Sequence, residues 1–255
     1  MMKQNILLLF PDSPSTYGIP RNPPMGISLI GSILDKNGFK VKIFDLRFKN
    51  INSNKLRSII ADFRPVFVGI STTSIGFKST IEVCKLVKKY FPHIVTFVGG
   101  PHPSSYPGHT LKYPEVDYIC MGEGDNTVLN FAENIRNQSI LKKLPGIGYR
   151  EDGKIIKNPQ EKFLEDLNSL PVPKYELFPI DMYRLNNGNL ILPLLTSRGC
   201  PYSCTFCSSY LTHGKKIRER SAKEIVNEIK RNYEVYGSKE FQIVDDTFNF
   251  NKERV

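Results

Sequence analysis

The chain has 255 residues, room for one large domain or two small ones, and its 40% hydrophobic content with 16 Phe and 12 Tyr is enough to build real cores. Lys and Arg exceed Asp and Glu by 35 to 25, and the resulting +10 charge favours anionic partners, although the lysines are scattered as on a solvated surface. No apolar run approaches the roughly 18 residues of a membrane span, and Ile6–Phe10, closed by Pro11, is too short for a secretion-signal core, so a cytoplasmic location is expected.

Residues 1 to about 140 alternate two periodicities. Apolar runs of strand length stand at Asn5–Phe10, Val41–Asp45, Val66–Ser71, Ile94–Gly99 and Val116–Met121. Between them, helical spacing runs through Gly26–Asn37, Lys55–Phe63, Phe77–Tyr90 and Asn126–Arg136. Near-continuous apolar strands separated by helices predict an α/β domain, a flavodoxin-like doubly wound parallel sheet of order 2-1-3-4-5 that binds ligands at the carboxyl ends of its strands. Those ends carry Pro11-Asp12-Ser13-Pro14-Ser15, Ser71-Thr72-Thr73-Ser74, Gly99-Gly100-Pro101-His102 and Gly122-Glu123-Gly124-Asp125. Ordinary turn chemistry explains each loop taken singly. Convergence on one rim makes Ser71, Thr72, Gly99, Gly100, Gly122, Glu123 and Gly124 candidate cofactor-binding residues, because glycine admits a ligand close to the backbone and hydroxyls donate to it. Cys84, in an apolar helix, and Cys120, in a strand, read as core residues.

Residues 141–189 read as a linker. Tyr149–Ile156 predicts a hairpin turning at Asp152-Gly153, and Pro159, Pro171, Pro173 and Pro179 then break any long periodicity. Residues 190–255 begin a second α/β pattern. Leu190–Ser197 is a strand, Ala222–Tyr236 a helix with Ile225, Val226, Ile229, Tyr233 and Tyr236 on or near one face, and Glu240–Val244 the next strand, ending in Asp245-Asp246. Ser221 with Glu224 predicts a capping box. Strand, loop, helix, strand is the first βαβ portion of a partial (β/α) barrel or of another parallel sheet. One such unit cannot close a barrel, so the segment is expected to be incomplete relative to a working enzyme. The densest basic cluster is Lys215, Lys216, Arg218, Arg220 and Lys223.

Between that strand and helix lie Cys200, Cys204 and Cys207, spaced C-x3-C-x2-C in the run Thr196-Ser197-Arg198-Gly199-Cys200-Pro201-Tyr202-Ser203-Cys204-Thr205-Phe206-Cys207. Three thiolates on a short loop can hold three irons of a [4Fe–4S] cube and leave the fourth open to a ligand that the protein does not supply. Zinc is the alternative, with His213 completing a Cys3His set. Disulfides fit less well, since five is an odd count and cytosolic thiols stay reduced.

The cysteine loop resembles the signature of the radical S-adenosylmethionine (SAM) superfamily in its spacing, in the aromatic Phe206 before the third cysteine and in the strand that precedes it. The resemblance implies that Cys200, Cys204 and Cys207 ligate a [4Fe–4S] cluster whose open iron is chelated by S-adenosyl-L-methionine. It implies that Phe206 meets the adenine mainly through its backbone, and that Asp245 and Asp246 meet the methionine moiety, although the usual Gly-Gly-Glu is absent. The N-terminal half resembles the cobalamin-binding domain that precedes the radical barrel in one branch, in Pro23-Pro24-Met25-Gly26-Ile27, Gly99-Gly100-Pro101-His102 and Gly122-Glu123-Gly124. No Asp-x-His-x-x-Gly motif occurs, so cobalt would lack a lower histidine from the protein, and His102 reads as a loop residue rather than a ligand.

Together the resemblances imply an anaerobic, cobalamin-dependent enzyme that generates a 5′-deoxyadenosyl radical for C-methylation or cyclisation of a small-molecule substrate, with electrons from a donor such as flavodoxin or ferredoxin. A radical enzyme with a non-binding scaffold domain, and a non-catalytic cofactor-binding fragment, are the alternatives. Nucleic acid is not an expected partner, because the tRNA-modifying relatives carry further cluster cysteines in their first domain.

Overall fold

The computed structural model describes residues 4–12, 20–48 and 51–253. In chain order the elements are β1 (Asn5–Phe10), α1 (Met25–Lys36), β2 (Lys40–Asp45), α2 (Ser53–Phe63), β3 (Phe67–Ser71), α3 (Phe77–Tyr90), β4 (Val95–Gly99), α4 (Pro101–Ser105), α5 (Pro107–Thr110), β5 (Tyr118–Cys120), α6 (Asp125–Glu133), α7 (Gln138–Leu141), β6 (Ile147–Glu151) and β7 (Lys154–Lys157). Beyond them lie β8 (Ile191–Leu194), β9 (Ser197–Arg198), α8 (Ser209–His213), β10 (Arg218–Glu219), α9 (Ala222–Tyr236) and β11 (Glu240–Ile243).

The first sheet runs β2-β1-β3-β4-β5-β6-β7. Its five parallel strands stand in the expected 2-1-3-4-5 order, with Ile6 opposite Val41, Leu8 opposite Gly69, and Gly69 opposite Phe97. Alternation along β1 divides the core. Leu7 and Leu9 pack with Leu56, Ile60, Ile81 and Cys84 of α2 and α3, whereas Ile6 and Leu8 pack with Ile27 and Leu34 of α1 and Phe131 of α6. Helix α2 is opened by Asn52, whose side chain accepts from the Lys55 N–H, and closed by Arg64 in the left-handed conformation. The expected hairpin forms at Asp152-Gly153, but as part of this sheet: β6 pairs antiparallel with β5, and β7 with β6. Ser13, Pro14 and Ser15 of the first rim loop lie outside the described residues.

The proline-rich stretch is also packed rather than extended over a surface. Tyr175 and Tyr183 are buried in the same cluster as Ile6 and Leu8. The Tyr183 hydroxyl donates to Asp45 (2.8 Å), and that of Tyr175 to the Pro193 carbonyl (3.0 Å).

In the C-terminal segment β8 and β11 pair in parallel across α9, the expected βαβ unit, while β9 and β10 form a short antiparallel pair. Two expectations for α9 need correction. The Glu224 N–H donates to Ser221 Oγ, but the Ser221 N–H goes to Asn168 rather than back to Glu224, so only half of the capping box is made. The buried positions are Glu228, Asn232 and Tyr236, whereas Val226 and Tyr233 are exposed. For Glu228 charge complementarity is the cause: the Arg220 guanidinium donates to it (2.5 Å). Among the described residues, no helix is long and apolar enough to cross a membrane.

Candidate functional site

A cavity of about 360 Å³ opens where the carboxyl ends of the parallel strands meet the second unit. Leu8, Gly69, Phe97 and Cys120 form its floor, Met25, Gly26, Ile27 and Ile30 of α1 one wall, and Leu195, Arg198, Thr212, His213 and Val244 the opposite wall. Its rim carries six expected residues: Ser71, Gly99, Gly100, Gly122, Glu123 and Gly124. Thr72, expected beside them, is instead buried; its hydroxyl accepts from Thr80 and donates to the Thr73 carbonyl, and Thr73 faces the cavity in its place. Gly100 needs its positive φ of 102°, since a Cβ there would stand 2.7 Å from the Thr72 carbonyl oxygen. His102 is buried away from the cavity wall. It stacks on Phe77 and hydrogen-bonds Ser74 and His109, and burial, then His109, lower its pKa.

The cysteine loop leaves β9 through Gly199 and closes where the Cys200 N–H donates to the Gly214 carbonyl (3.2 Å). A Cβ on Gly199 (φ +100°) would lie 2.2 Å from the Lys216 carbonyl oxygen. Cys200 and Cys207 are half-buried and Cys204 exposed, all three as free thiols. Ser209 holds the Cys207 thiol below its usual pKa by hydrogen bonding, and the Thr247 hydroxyl donates to Cys200 Sγ (3.3 Å). Phe206 is 91% exposed, its ring free for none of the packing around it.

Asp245 and Asp246 act on this loop. Asp245 accepts from the Thr196 N–H (2.7 Å) and the Ser197 hydroxyl (2.7 Å), and Asp246 from the Gly199 N–H (3.0 Å). Asp246 also pairs with His213 Nδ1 (2.8 Å); burial pulls its pKa up, but His213, the Gly199 N–H and Arg198 together hold the carboxyl below its usual range. Both carboxylates brace the ends of β8 and β9, a role that the resemblance had not implied. His213 is thereby turned to Asp246 and the cavity. Among the described residues, no three His, Cys, Asp or Glu side chains stand together around a single ion position. A cube holds its thiolates at separate corners, and free thiols on a glycine-hinged loop suit that donor set.

The basic cluster noted in the sequence divides. Lys215 and Lys216 are exposed, but Arg218 and Arg220 are buried. Arg218 donates to both oxygens of Glu123 (2.7 and 2.9 Å), Arg198 ion-pairs with Glu123 (3.2 Å) and donates to Asp125 (2.6 Å), and the Leu164 N–H completes the Glu123 shell (2.8 Å). Burial alone would lower the Arg198 pKa, but Asp125 and Glu123 reverse this and raise it. Glu123 thus spends its carboxylate on the other unit. Sequence reasoning missed Arg198 and Arg218 because nothing in local spacing marks a pair 95 residues apart.

Comparison with known proteins accords with this architecture. Residues 20–132 match the profile of the B12 binding domain, and residues 194–255 that of the Radical SAM superfamily. The chain thus combines a B12-binding domain with a Radical SAM segment, the arrangement of the cobalamin-dependent branch of that superfamily. An uncharacterized methyltransferase of Pyrococcus horikoshii is 32% identical over all of this chain and 56% of its own length. The cytidylyl-2-hydroxyethylphosphonate methyltransferase of Streptomyces wedmorensis is 27% identical over 95% of this chain and 55% of its own length. The chain therefore spans about half the length of the curated relatives it matches. Two solved structures share the fold. The cobalamin-dependent SAM radical enzyme OxsB with aqua-cobalamin bound has a TM-score of 0.82 at 22% identity, over 96% of this chain and 34% of its own. The radical SAM methyltransferase TsrM of Kitasatospora setae, with cobalamin and a [4Fe–4S] cluster bound, has 0.76 at 17%, over 97% and 48%.

Proposed function

We propose that this chain carries the cobalamin-binding and cluster-binding parts of a radical SAM methyltransferase acting on carbon in a small-molecule substrate. The observation that carries the proposal is a cavity bounded on one side by the glycine rim of the parallel sheet and on the other by the unit that bears the cysteine loop. Cobalamin would be held by the apolar floor and by the rim at Ser71, Gly99, Gly100, Gly122 and Gly124, and a [4Fe–4S] cluster by Cys200, Cys204 and Cys207. When bound, the cluster with SAM supplies the carbon radical and cobalamin the methyl group.

The chain's own residues prepare the two places. Gly100 and Thr72 set the backbone turn of the rim, Asp245 and Asp246 brace the loop before Cys200, and the apolar cavity walls exclude water. The exposed Cys204 flank, with Lys215 bonded to the adjacent Ser203 (2.9 Å), suits approach of an acidic electron donor such as flavodoxin or ferredoxin.

The test is anaerobic reconstitution of the whole chain with hydroxocobalamin, iron and sulfide, followed by desalting, metal counts and absorption spectra. Stoichiometric cobalt with a base-off spectrum, together with about four irons per chain, is the expected result. Cys204→Ala should lose iron and keep cobalt. Iron without cobalt in the folded protein would leave the first domain a scaffold and remove methyl transfer from cobalt; retention of neither would overturn the proposal.

A further inference from the structure

Glu123, Asp125 and Arg198, which line the cavity, form with Arg218 a charged cluster that is internally neutral. Arg198 and Arg218 oppose Glu123 and Asp125, with all four side chains 7% exposed or less. Its carboxylates stand on the loop that leads from β5 into α6 (Glu123) and on the first residue of α6 (Asp125), its guanidiniums on β9 and β10 at the two ends of the cysteine loop. A second tie runs parallel to it. Gln160 lies over Gly122 and donates to the Leu211 carbonyl (3.0 Å), so one side chain touches both loops. Phe163 covers Gly214 and lies 5.3 Å beneath the Arg218 guanidinium, and the next residue, Leu164, donates to Glu123 and accepts from Arg218 (2.7 Å).

We infer that Glu123, with Arg198 and Arg218, is a positioning element that locks the β5–α6 rim loop to the cysteine loop and so sets the separation of whatever the two loops hold. As a statement about cofactors, the inference rests on the reading proposed above; as a statement about the two loops, it stands on the ion pairs alone. A buried charge left without its partner is strongly destabilising, so the lock is stiff where a surface pair would be compliant. Glu123 is suited to be its centre because it meets both arginines and the strap residue Leu164 at once.

The test compares Glu123→Gln, Glu123→Asp and wild type by hydrogen exchange of the whole chain without cofactors, read by mass spectrometry. In Glu123→Gln, amides of residues 122–125 and 199–214 should exchange together, about tenfold faster or more, while α2 and α3 are unchanged. Glu123→Asp keeps the charge and should recover part of the protection. Glu165→Gln, which breaks the exposed Lys216–Glu165 pair on the same strap, should change nothing. Faster exchange confined to 122–125 would mean that Glu123 holds only its own loop, and no change in either loop would also overturn the inference.

A second arm uses protein loaded with cobalamin and iron, reduced, and read by electron paramagnetic resonance. Glu123→Gln should keep both metals while the spin–spin coupling between cobalt and cluster weakens or broadens. Unchanged coupling would defeat the positioning role. Wild type that retains no cobalt or iron would speak against the cofactor reading, and the exchange arm would still decide the lock.

Discussion

Replacing Gly199 by Ala tests whether the geometry that closes the cysteine loop is required. At φ +100° a side chain is strained by about 1–3 kcal/mol. The new methyl would also sit 2.2 Å from the Lys216 carbonyl oxygen, a backbone atom that cannot swing aside as a side chain would. β10 must therefore retreat from β9, weakening the Arg198–Arg218 pairing and the Cys200–Gly214 hydrogen bond, at about 1 kcal/mol for each bond lost. The expected loss is about 4 kcal/mol, which for a chain of this size lowers Tm by about 10 °C. Gly153→Ala is the control. Its φ is +74° with nothing within 4 Å, so it should cost about 1–2 kcal/mol, from strain alone. Urea denaturation of both variants measures the difference. Equal losses would refute the collision argument and show that β10 tolerates displacement.

Thiol reactivity and pH give two further checks. Burial pushes the Cys120 thiol up to about 12 and that of Cys84 higher still, so iodoacetamide at pH 8 should label only Cys200, Cys204 and Cys207 in the native chain. Mass spectrometry showing native labelling of Cys84 would contradict the packing of α3 on the sheet, and labelling of Cys120 would show that the cavity floor admits the reagent. Burial, and then His109, hold the His102 pKa below the unfolded value near 6.5. Because the folded value is the lower one, the contribution of His102 is complete above that pH and is lost as pH falls through the folded pKa. The urea midpoint should therefore drop between pH 7.5 and 5.5, and drop less in His102→Gln; equal drops would remove His102 from the account.

Legibility followed periodicity. The two-residue alternation of β1 and the helical spacing of α3 are local signals, and Asn5–Phe10 and Phe77–Tyr90 are found where the pattern puts them. The cysteine spacing was equally plain, since its information lies within eight residues. What stayed hidden depends on charge meeting charge across the fold. Glu123 reads as a rim ligand until Arg218 is seen beside it, and Glu228 reads as part of the solvent face of α9 until Arg220 is found against it. Both cases invert the rule that polar means exposed: Glu123 meets a partner 95 residues away, and Glu228 is drawn in by Arg220 eight residues before it, although burial still raises the Glu228 pKa. Asp245 and Asp246, which the resemblance places at the methionine moiety, show a related ambiguity: a carboxylate at the end of a strand suits a ligand, but here both receive the N–H groups of an adjacent loop.

The stretch read as a linker has the largest consequence for experiment. Prolines at 171, 173 and 179 suggest an extended tether, yet they punctuate short turns that place Tyr175 and Tyr183 in the core of the first sheet. Each buried tyrosine removes on the order of 150–200 Å² from water, about 4 kcal/mol as an upper estimate. Two of them contribute about 8 kcal/mol, comparable with the entire stability of a typical domain. Asp45, buried and held by Tyr183 and Arg47, would also lose the tyrosine. A fragment ending near residue 145 would lack these side chains, and it would lack β6 and β7 as well. It should bind a hydrophobic dye and unfold at lower urea than the whole chain, with Tyr183→Ala in the whole chain moving partway toward it. If the fragment unfolds as cooperatively and as late as the whole chain, the tyrosines merely rest on a self-sufficient domain. If it does not, cobalamin binding has to be measured on a chain that includes them, because an empty fragment would report a broken core rather than an unsuitable site.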